Sequence, residues 1–239
     1  MECVNDQPSK KLIRSKSGLR IVVANEDQRS PFVIGEPQWT PDKEATHCTK
    51  CSTKFGFTTR RHHCRRCGQI YCSSCCDEKL EIPRMCFIDP VRVCLNCAPA
   101  VLEENKFFEC HLKTLTNGAT FMLEKEESII DRENETLQCK LSQDHRYLIF
   151  DGAKIAPLEI GNIRILRLHK DPHSAFIVED PSAGITCIDL EYTRHESNVP
   201  SILRLSTINE PQQQKIGASW LLALQQAFKM QACNYQQYD

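Results

Sequence analysis

The stretch RRHHCRRCG, residues 60–68, sets two histidines and four arginines around Cys64 and Cys67. Two cysteines separated by two residues form a short turn that presents both sulfurs to one ion, and an ion held there is already cationic. The surplus of positive side chains must therefore serve something other than the metal. Outward from this stretch the same spacing recurs at Cys48/Cys51, Cys72/Cys75 and Cys94/Cys97, giving four pairs with gaps of twelve, four and eighteen residues between them. Two such pairs complete a tetrahedral thiolate site, so the ladder implies two zinc ions.

The four-residue gap between the second and third pairs makes sequential pairing awkward. The expected arrangement is interleaved: Cys48, Cys51, Cys72 and Cys75 hold one zinc, and Cys64, Cys67, Cys94 and Cys97 hold the other. Such a cross-brace explains how roughly sixty residues with few large apolar side chains can fold, because a structural zinc contributes ~10 kcal/mol or more. Cys76 directly follows Cys75, but the uniform spacing favours Cys75 as the ligand. Cys3, Cys86, Cys110, Cys139, Cys187 and Cys233 are scattered and read as ordinary thiols, since nothing pairs any of them with a base.

The chain has 239 residues, 41% of them hydrophobic and 26% charged, enough to bury real cores. No apolar run approaches the ~20 residues of a membrane-spanning helix, and the N-terminus lacks the apolar core of a secretory signal. A protein that is not secreted keeps its 15 cysteines reduced, where close pairs mean metal more often than disulfide. Charge is uneven: residues 1–100 carry 16 Lys and Arg against 11 Asp and Glu, whereas residues 101–239 carry 14 against 20. The first part favours anions and the second repels them. Within residues 39–98 the surplus is only +4, and two four-thiolate zinc sites, formally −2 each, cancel it. Attraction for an anion must come from local arrangement. Arg60, Arg61, His62, His63 and Arg65 lie on an extended segment whose side chains alternate between faces, and guanidinium forks with imidazole N–H groups suit a phosphate monoester.

Trp39-Thr-Pro-Asp42, RRHHCRRCG and Arg92-Val-Cys94 resemble the three signature motifs of the FYVE zinc-finger family, in the same order around the same eight cysteines. The resemblance implies a cytoplasmic protein bound peripherally to the cytosolic face of endosomes through phosphatidylinositol 3-phosphate. It assigns Arg61, His63, Arg65 and Arg92 to the 3- and 1-phosphates, Asp42 and His62 to the inositol hydroxyls, and Arg60 to neighbouring membrane phosphates. Asp42 would reject lipids phosphorylated at those hydroxyls. The loop Lys54–Thr59 would insert Phe57 and Thr58 into the bilayer while Phe55 packs inside. One departure is the apolar stretch Arg84–Pro90, which brings Asp89 toward the site. The competing reading of a two-zinc cross-brace is a protein-interaction module, a ubiquitin ligase or chromatin reader, which has no need of Asp42, His62 and His63. No enzyme is expected, because all-cysteine zinc sites leave no coordination position open for water, and no nucleic-acid partner is implied.

From about residue 110 the pattern changes to short alternating or β-branched runs at 119–123, 136–141, 146–150, 155–160, 163–168, 185–192 and 202–207, which predict a small antiparallel sandwich or barrel. A helix follows, opened by Pro211, with Ile216, Trp220, Ala223, Leu224, Ala227 and Phe228 on its apolar stripe. Seven strands and a terminal helix with a central tryptophan resemble the pleckstrin-homology fold. The first hairpin loop of that domain, LEKEESIIDRENET, holds six acidic residues against Lys125 and Arg132 and should repel a phosphate headgroup. The domain therefore reads as a protein-binding or stabilising module. The expected whole is an α+β chain of two domains: an N-terminal segment, partly flexible, over 1–38, the finger over 39–99, a linker over 100–109, the pleckstrin-like barrel over 110–232 and a tail over 233–239. That combination resembles a two-domain branch of the FYVE family, which implies protein partners among focal adhesion components and a part in focal adhesion disassembly and cell migration.

Overall fold

The computed structural model describes residues 9–124, 135–171, 180–194 and 197–235. The chain divides into two compact units: residues up to Arg29 with Val33–Phe108, and Ser30–Phe32 with Glu109 onward.

The first unit opens with a hairpin. Strands β1 (Lys10–Ser15) and β2 (Gly18–Val23) pair antiparallel, with Leu12 opposite Ile21 and Ser15 opposite Gly18. The N-terminal segment 1–38, expected to be partly flexible, thus contains a hairpin over residues 10–23. Gly18, at φ +146, lets the turn lie against Phe87 and Val91, where a Cβ would come within 3.1 Å of the phenylalanine ring. β2 is also tied to the stretch Cys86–Ile88 by Ile21 N–H to Cys86 O and Ile88 N–H to Leu19 O, both 3.0 Å. Two further short pairs follow, β3 (His62–His63) with β4 (Ile70–Tyr71) and β5 (Glu78–Leu80) with β6 (Val91–Val93). The core between them contains Ile34, Phe55, Ile70, Tyr71, Ile82, Met85 and Val93 beside the buried cysteines.

Helix α1 (Ala98–Lys106) begins directly after Cys97, the last cysteine of the four pairs, and is continued by a π-helical turn over Phe107–His111. Helix α2 spans Leu112–Asn117 and ends at Gly118. The linker expected over 100–109 is therefore helical. α1 is held by Ala98 and Val101 in the core and by charge: Glu104, 6% exposed, accepts from Arg66 Nη2 at 2.8 Å and from Arg84 Nη1 at 2.5 Å.

The second unit is one seven-stranded antiparallel sheet. Its strands are β7 (Ala119–Glu124), β8 (Glu135–Leu141), β9 (Tyr147–Asp151), β10 (Leu158–Glu159), β11 (Ile163–Lys170), β12 (Ile185–Arg194) and β13 (Ser197–Thr207), in the order β10-β9-β8-β7-β13-β12-β11. The first and last strands of the run thus pair in the middle of the sheet. Most of the acidic loop read from the sequence lies outside the described residues. Helix α3 (Pro211–Tyr235) buries Trp220, Leu221, Ala223, Leu224 and Ala227. The Trp220 indole N–H donates to Leu115 O at 3.2 Å and its ring meets Phe121 edge-on at 5.2 Å. Ile216, expected on this apolar face, points outward at 42% exposed, and Gly217 takes the inward position because a Cβ there would approach Thr207 Cγ2 to 3.1 Å. Ser30–Phe32 belongs to this unit: Phe32 is fully buried beside the His145 ring, and the Ser30 hydroxyl meets His145 Nδ1 at 3.1 Å.

Candidate metal centres and anion-binding face

Two clusters of four sulfurs stand in the first unit, Cys48, Cys51, Cys72 and Cys75 in one and Cys64, Cys67, Cys94 and Cys97 in the other, each with its sulfurs within 4.8 Å of one another. The pairing is interleaved, first pair with third and second with fourth. Each pair is presented by a tight turn. Cys48 N–H bonds Thr53 O at 2.9 Å and Ser52 N–H returns to Cys48 O, with Ser52 held at φ +56. At the second pair Gly68 N–H returns to Cys64 O at 2.9 Å; Gly68 sits at φ +75, and a Cβ there would fall 2.3 Å from Gln38 O. No side chain larger than hydrogen fits the final position of RRHHCRRCG.

The donor sets suit zinc. Cys94 N–H points at Cys64 Sγ at 3.3 Å, the Tyr71 hydroxyl lies 3.6 Å from Cys67 Sγ, and the Thr53 hydroxyl lies 3.2 Å from Cys51 Sγ. Such donors favour the thiolate, and Thr53 holds Cys51 down at about 6. In the second cluster hydrogen bonding among the sulfurs, led by Cys67, pulls Cys64 down, while the Cys64 sulfur pushes Cys97 up. A dication relieves that crowding by taking all four as thiolates. Cys76, fully buried, stands outside both clusters, and its nearness to Cys64 raises its pKa.

Around this frame several basic side chains are held by hydrogen bonds and ring contacts. His63 Nε2 lies 2.8 Å from Thr40 O, and because a carbonyl only accepts, that nitrogen carries the hydrogen. This bond ties β3 to the segment Trp39–Asp42, and the Trp39 ring lies 4.6 Å from the His63 ring. Arg65 lays its guanidinium over Trp39 at 5.5 Å and donates from Nε to Ser17 O at 3.0 Å and from Nη1 to His63 O at 2.7 Å. Its backbone N–H bonds Arg92 O at 2.9 Å, which brings the two arginines side by side. Arg92 Nη1 meets Asp77 Oδ1 and Cys76 O, each at 2.8 Å. Arg61 donates to Ala45 O at 2.9 Å and lies over the Phe55 ring at 5.0 Å. Burial and the cations Arg92, Arg65 and Arg60 hold His62 below the ordinary imidazole value. Asp42 and Arg60 are exposed at the edge of this group.

The loop before β3 is closed by Gly56 N–H to Thr59 O at 3.1 Å, so Phe57 and Thr58 form its tip; Phe57 is 98% exposed while Phe55 is buried. Three neighbours escape the sequence reading. Asp77, and not Asp89, sets its carboxylate on Arg92. Arg66 is removed from the basic group by its pairing with Glu104. Ser17, from the segment expected to be flexible, fixes Arg65 through its carbonyl. Only the run SKSGLR, residues 15–20, holds a hint of the last, and it has no chemistry of its own.

The FYVE zinc finger family profile matches residues 38–103, and that of the zinc finger FYVE domain-containing protein 21 C-terminus matches residues 106–234. The chain belongs to the zinc finger FYVE domain-containing protein 21 family. In this family setting the two four-cysteine clusters fit the two zinc ions of a FYVE domain. The chain is similar to mouse (Mus musculus) zinc finger FYVE domain-containing protein 16, 36% identical over 100 residues covering 38% of this chain and 6% of the relative. It is similar to the Homo sapiens phosphatidylinositol-3,5-bisphosphate 3-phosphatase MTMR4, 48% identical over 60 residues covering 25% of this chain and 5% of that protein. Among solved structures it is similar to the LM5-1 FYVE domain from Leishmania major, at 34% identity, 33% of this chain, 87% of that chain and a TM-score of 0.27. The chain spans 6% or less of the length of these two curated relatives. Among the described residues no helix is long and apolar enough to cross a membrane.

Proposed function

We propose that this protein is a peripheral membrane adaptor that binds phosphatidylinositol 3-phosphate on the cytosolic face of endosomes. The observation that supports this most is the hydrogen-bonded linkage of His63, Arg65 and Arg92 on a zinc-built frame, with Arg61 and His62 directly before His63 in the chain and an exposed apolar tip at Phe57 preceding them. Arg61, His63, Arg65 and Arg92 take the 3- and 1-phosphates. Asp42 and His62 bond the inositol hydroxyls, and the Asp42 carboxylate excludes lipids phosphorylated there. Arg60 meets neighbouring lipid phosphates, and Phe57 with Thr58 enters the bilayer, where a phenylalanine side chain gains ~2 kcal/mol on leaving water.

The second unit is pleckstrin-homology-like, a seven-stranded sheet with a terminal helix that packs Trp220 inward, and it serves as a protein-interaction module. Family likeness extends the role to focal adhesion disassembly and cell migration, with focal adhesion components among the partners. The test is sedimentation of the full chain with liposomes carrying each phosphoinositide in turn, beside Arg61→Ala/His63→Ala. Binding confined to phosphatidylinositol 3-phosphate and at least tenfold weaker in the variant is expected from the loss of two charge-assisted contacts. Equal binding by both proteins, or none to any phosphoinositide, sinks the reading.

A further inference from the structure

The β1–β2 hairpin has a face that neither the zinc frame nor the anion-binding group uses. Residues opposite one another in an antiparallel pair share a side of the sheet. Lys10, Leu12 and Arg14 therefore share one face with Leu19, Ile21 and Val23, and Ile13 and Arg20 share the other. The second face is the inner one: Arg20 lies over the Phe87 ring at 5.8 Å and pairs with Glu36 at 3.2 Å. On the outer face Leu12 is 62% and Ile21 44% exposed, an apolar cross-strand pair flanked by Lys10 and Arg14. Residues 9–23 contain Lys10, Lys11, Arg14, Lys16 and Arg20 and no acidic residue. Among the described residues no ion pair engages Lys10, Lys11, Arg14 or Lys16. The turn that carries Lys16 is bonded to the anion-binding group, Ser17 O accepting from Arg65 Nε at 3.0 Å.

We propose that the outer face of this hairpin is a second membrane contact, which takes the headgroups of anionic phospholipids such as phosphatidylserine from the bilayer whose phosphatidylinositol 3-phosphate Arg65 helps to hold. It rests on the lipid reading above. Two observations favour a bilayer over a protein. A rim of lysine and arginine around a small aliphatic pair is the composition that adsorbs to an anionic interface, the apolar residues entering and the cationic heads snorkelling to phosphates. β1 is also an edge strand crowded with lysines, which opposes addition of another protein's strand. Because the hairpin turn is anchored to Arg65 through Ser17, a headgroup held by Arg65 keeps the turn that carries Lys16 near the bilayer surface, where charges act over a Debye length of about 8–10 Å.

The experiment compares the full chain with Lys10→Gln/Lys11→Gln/Arg14→Gln/Lys16→Gln on phosphatidylcholine vesicles carrying phosphatidylinositol 3-phosphate, with and without phosphatidylserine. Phosphatidylserine should tighten binding of the parent by tenfold or more, because basic residues near an anionic surface add to adsorption, and the variant should lose that gain. On vesicles lacking phosphatidylserine the two should bind alike. Equal binding on both vesicle types overturns the proposal and leaves the face to a protein partner. Equal weakening on both also overturns it, since the hairpin would then act only by shaping the pocket through Ser17. If the parent ignores phosphatidylinositol 3-phosphate, the lipid reading has failed, and vesicles of phosphatidylserine with phosphatidylcholine decide: weaker adsorption by the variant supports the contact, equal adsorption overturns it.

Discussion

Gly68 carries the steric weight of the second zinc turn. At φ +75, with Gln38 O at 2.3 Å from any Cβ, Gly68→Ala must open the turn that aims Cys64 and Cys67 at one ion. The expected cost is about 2–3 kcal/mol, read as a lower melting temperature together with faster zinc loss to a chelator. A melting curve and zinc release unchanged from the parent would show that the backbone relaxes freely there. Asp189, in the second unit, works by charge. Arg204 donates to both its oxygens at 2.6 and 2.8 Å and His169 Nε2 lies at 2.8 Å, so the carboxyl titrates at about 2 despite its burial. A carboxyl depressed in the folded state stabilises above its unfolded value of about 3.9, and that contribution disappears as pH falls through the folded value. Asp189→Asn should therefore cost about 2 kcal/mol near neutrality and flatten the acid limb of stability between about pH 4 and pH 2. Denaturant melts at a series of pH values check this, and parallel curves for parent and variant would refute it.

Elements differ in how plainly the sequence announces them, and α1 shows why. Its inward residues are Ala98, Val101 and Glu104, so the position that would complete the apolar stripe is a carboxylate. The helix is held by the pairing of Glu104 with Arg66 and Arg84, residues 38 and 20 positions away. A pairing of that range is invisible to local periodicity, and the segment reads as linker. The β1–β2 hairpin hides for a related reason: KKLIRS and GLRIVV lack a regular polar–apolar alternation, and what fixes the hairpin is backbone bonding to Cys86 and Ile88. The seven strands of the second unit are legible because β-branched runs there are punctuated by turn residues, and α3 because Trp220, Leu224 and Ala227 fall on one face. The cysteine ladder is the most legible, since ligand chemistry fixes residue type and spacing together. Where the sequence misleads about the anion-binding group, at Asp77 and Ser17, the contact is made by a residue with no signature. The α1 clamp gives a sharp prediction. Glu104→Ala leaves two arginine side chains, 13% and 3% exposed, without their shared carboxylate. A loss of about 3–5 kcal/mol is expected from breaking a buried ion pair on one side, seen in the melting of the first unit. A shift under about 1 kcal/mol would mean that the arginines reach water instead.

At the scale of the whole molecule the two units draw stability from different sources. The first closes its core around cysteine sulfurs, with Cys64, Cys76 and Cys94 fully buried beside Ile70 and Val93, so its apolar packing presupposes the ions. The second packs Trp220, Phe121, Leu137, Leu148 and Ile188 with no cluster of metal ligands among its described residues. Structural zinc contributes ~10–16 kcal/mol to a finger, as much as or more than the roughly 5–15 kcal/mol that holds a typical domain folded, so removing it should unfold the first unit outright. The chain supplies its own reporters, having two tryptophans: Trp39 in the first unit, stacked on His63 and Arg65, and Trp220 at the centre of the second. In Trp220→Phe, leaving Trp39, a strong chelator should shift emission to that of an exposed indole and abolish liposome binding. In Trp39→Phe, leaving Trp220, the same chelator should leave the emission of a buried indole unchanged. A red shift of Trp220 on chelation would refute this division, because the second unit would then depend on the metal as well.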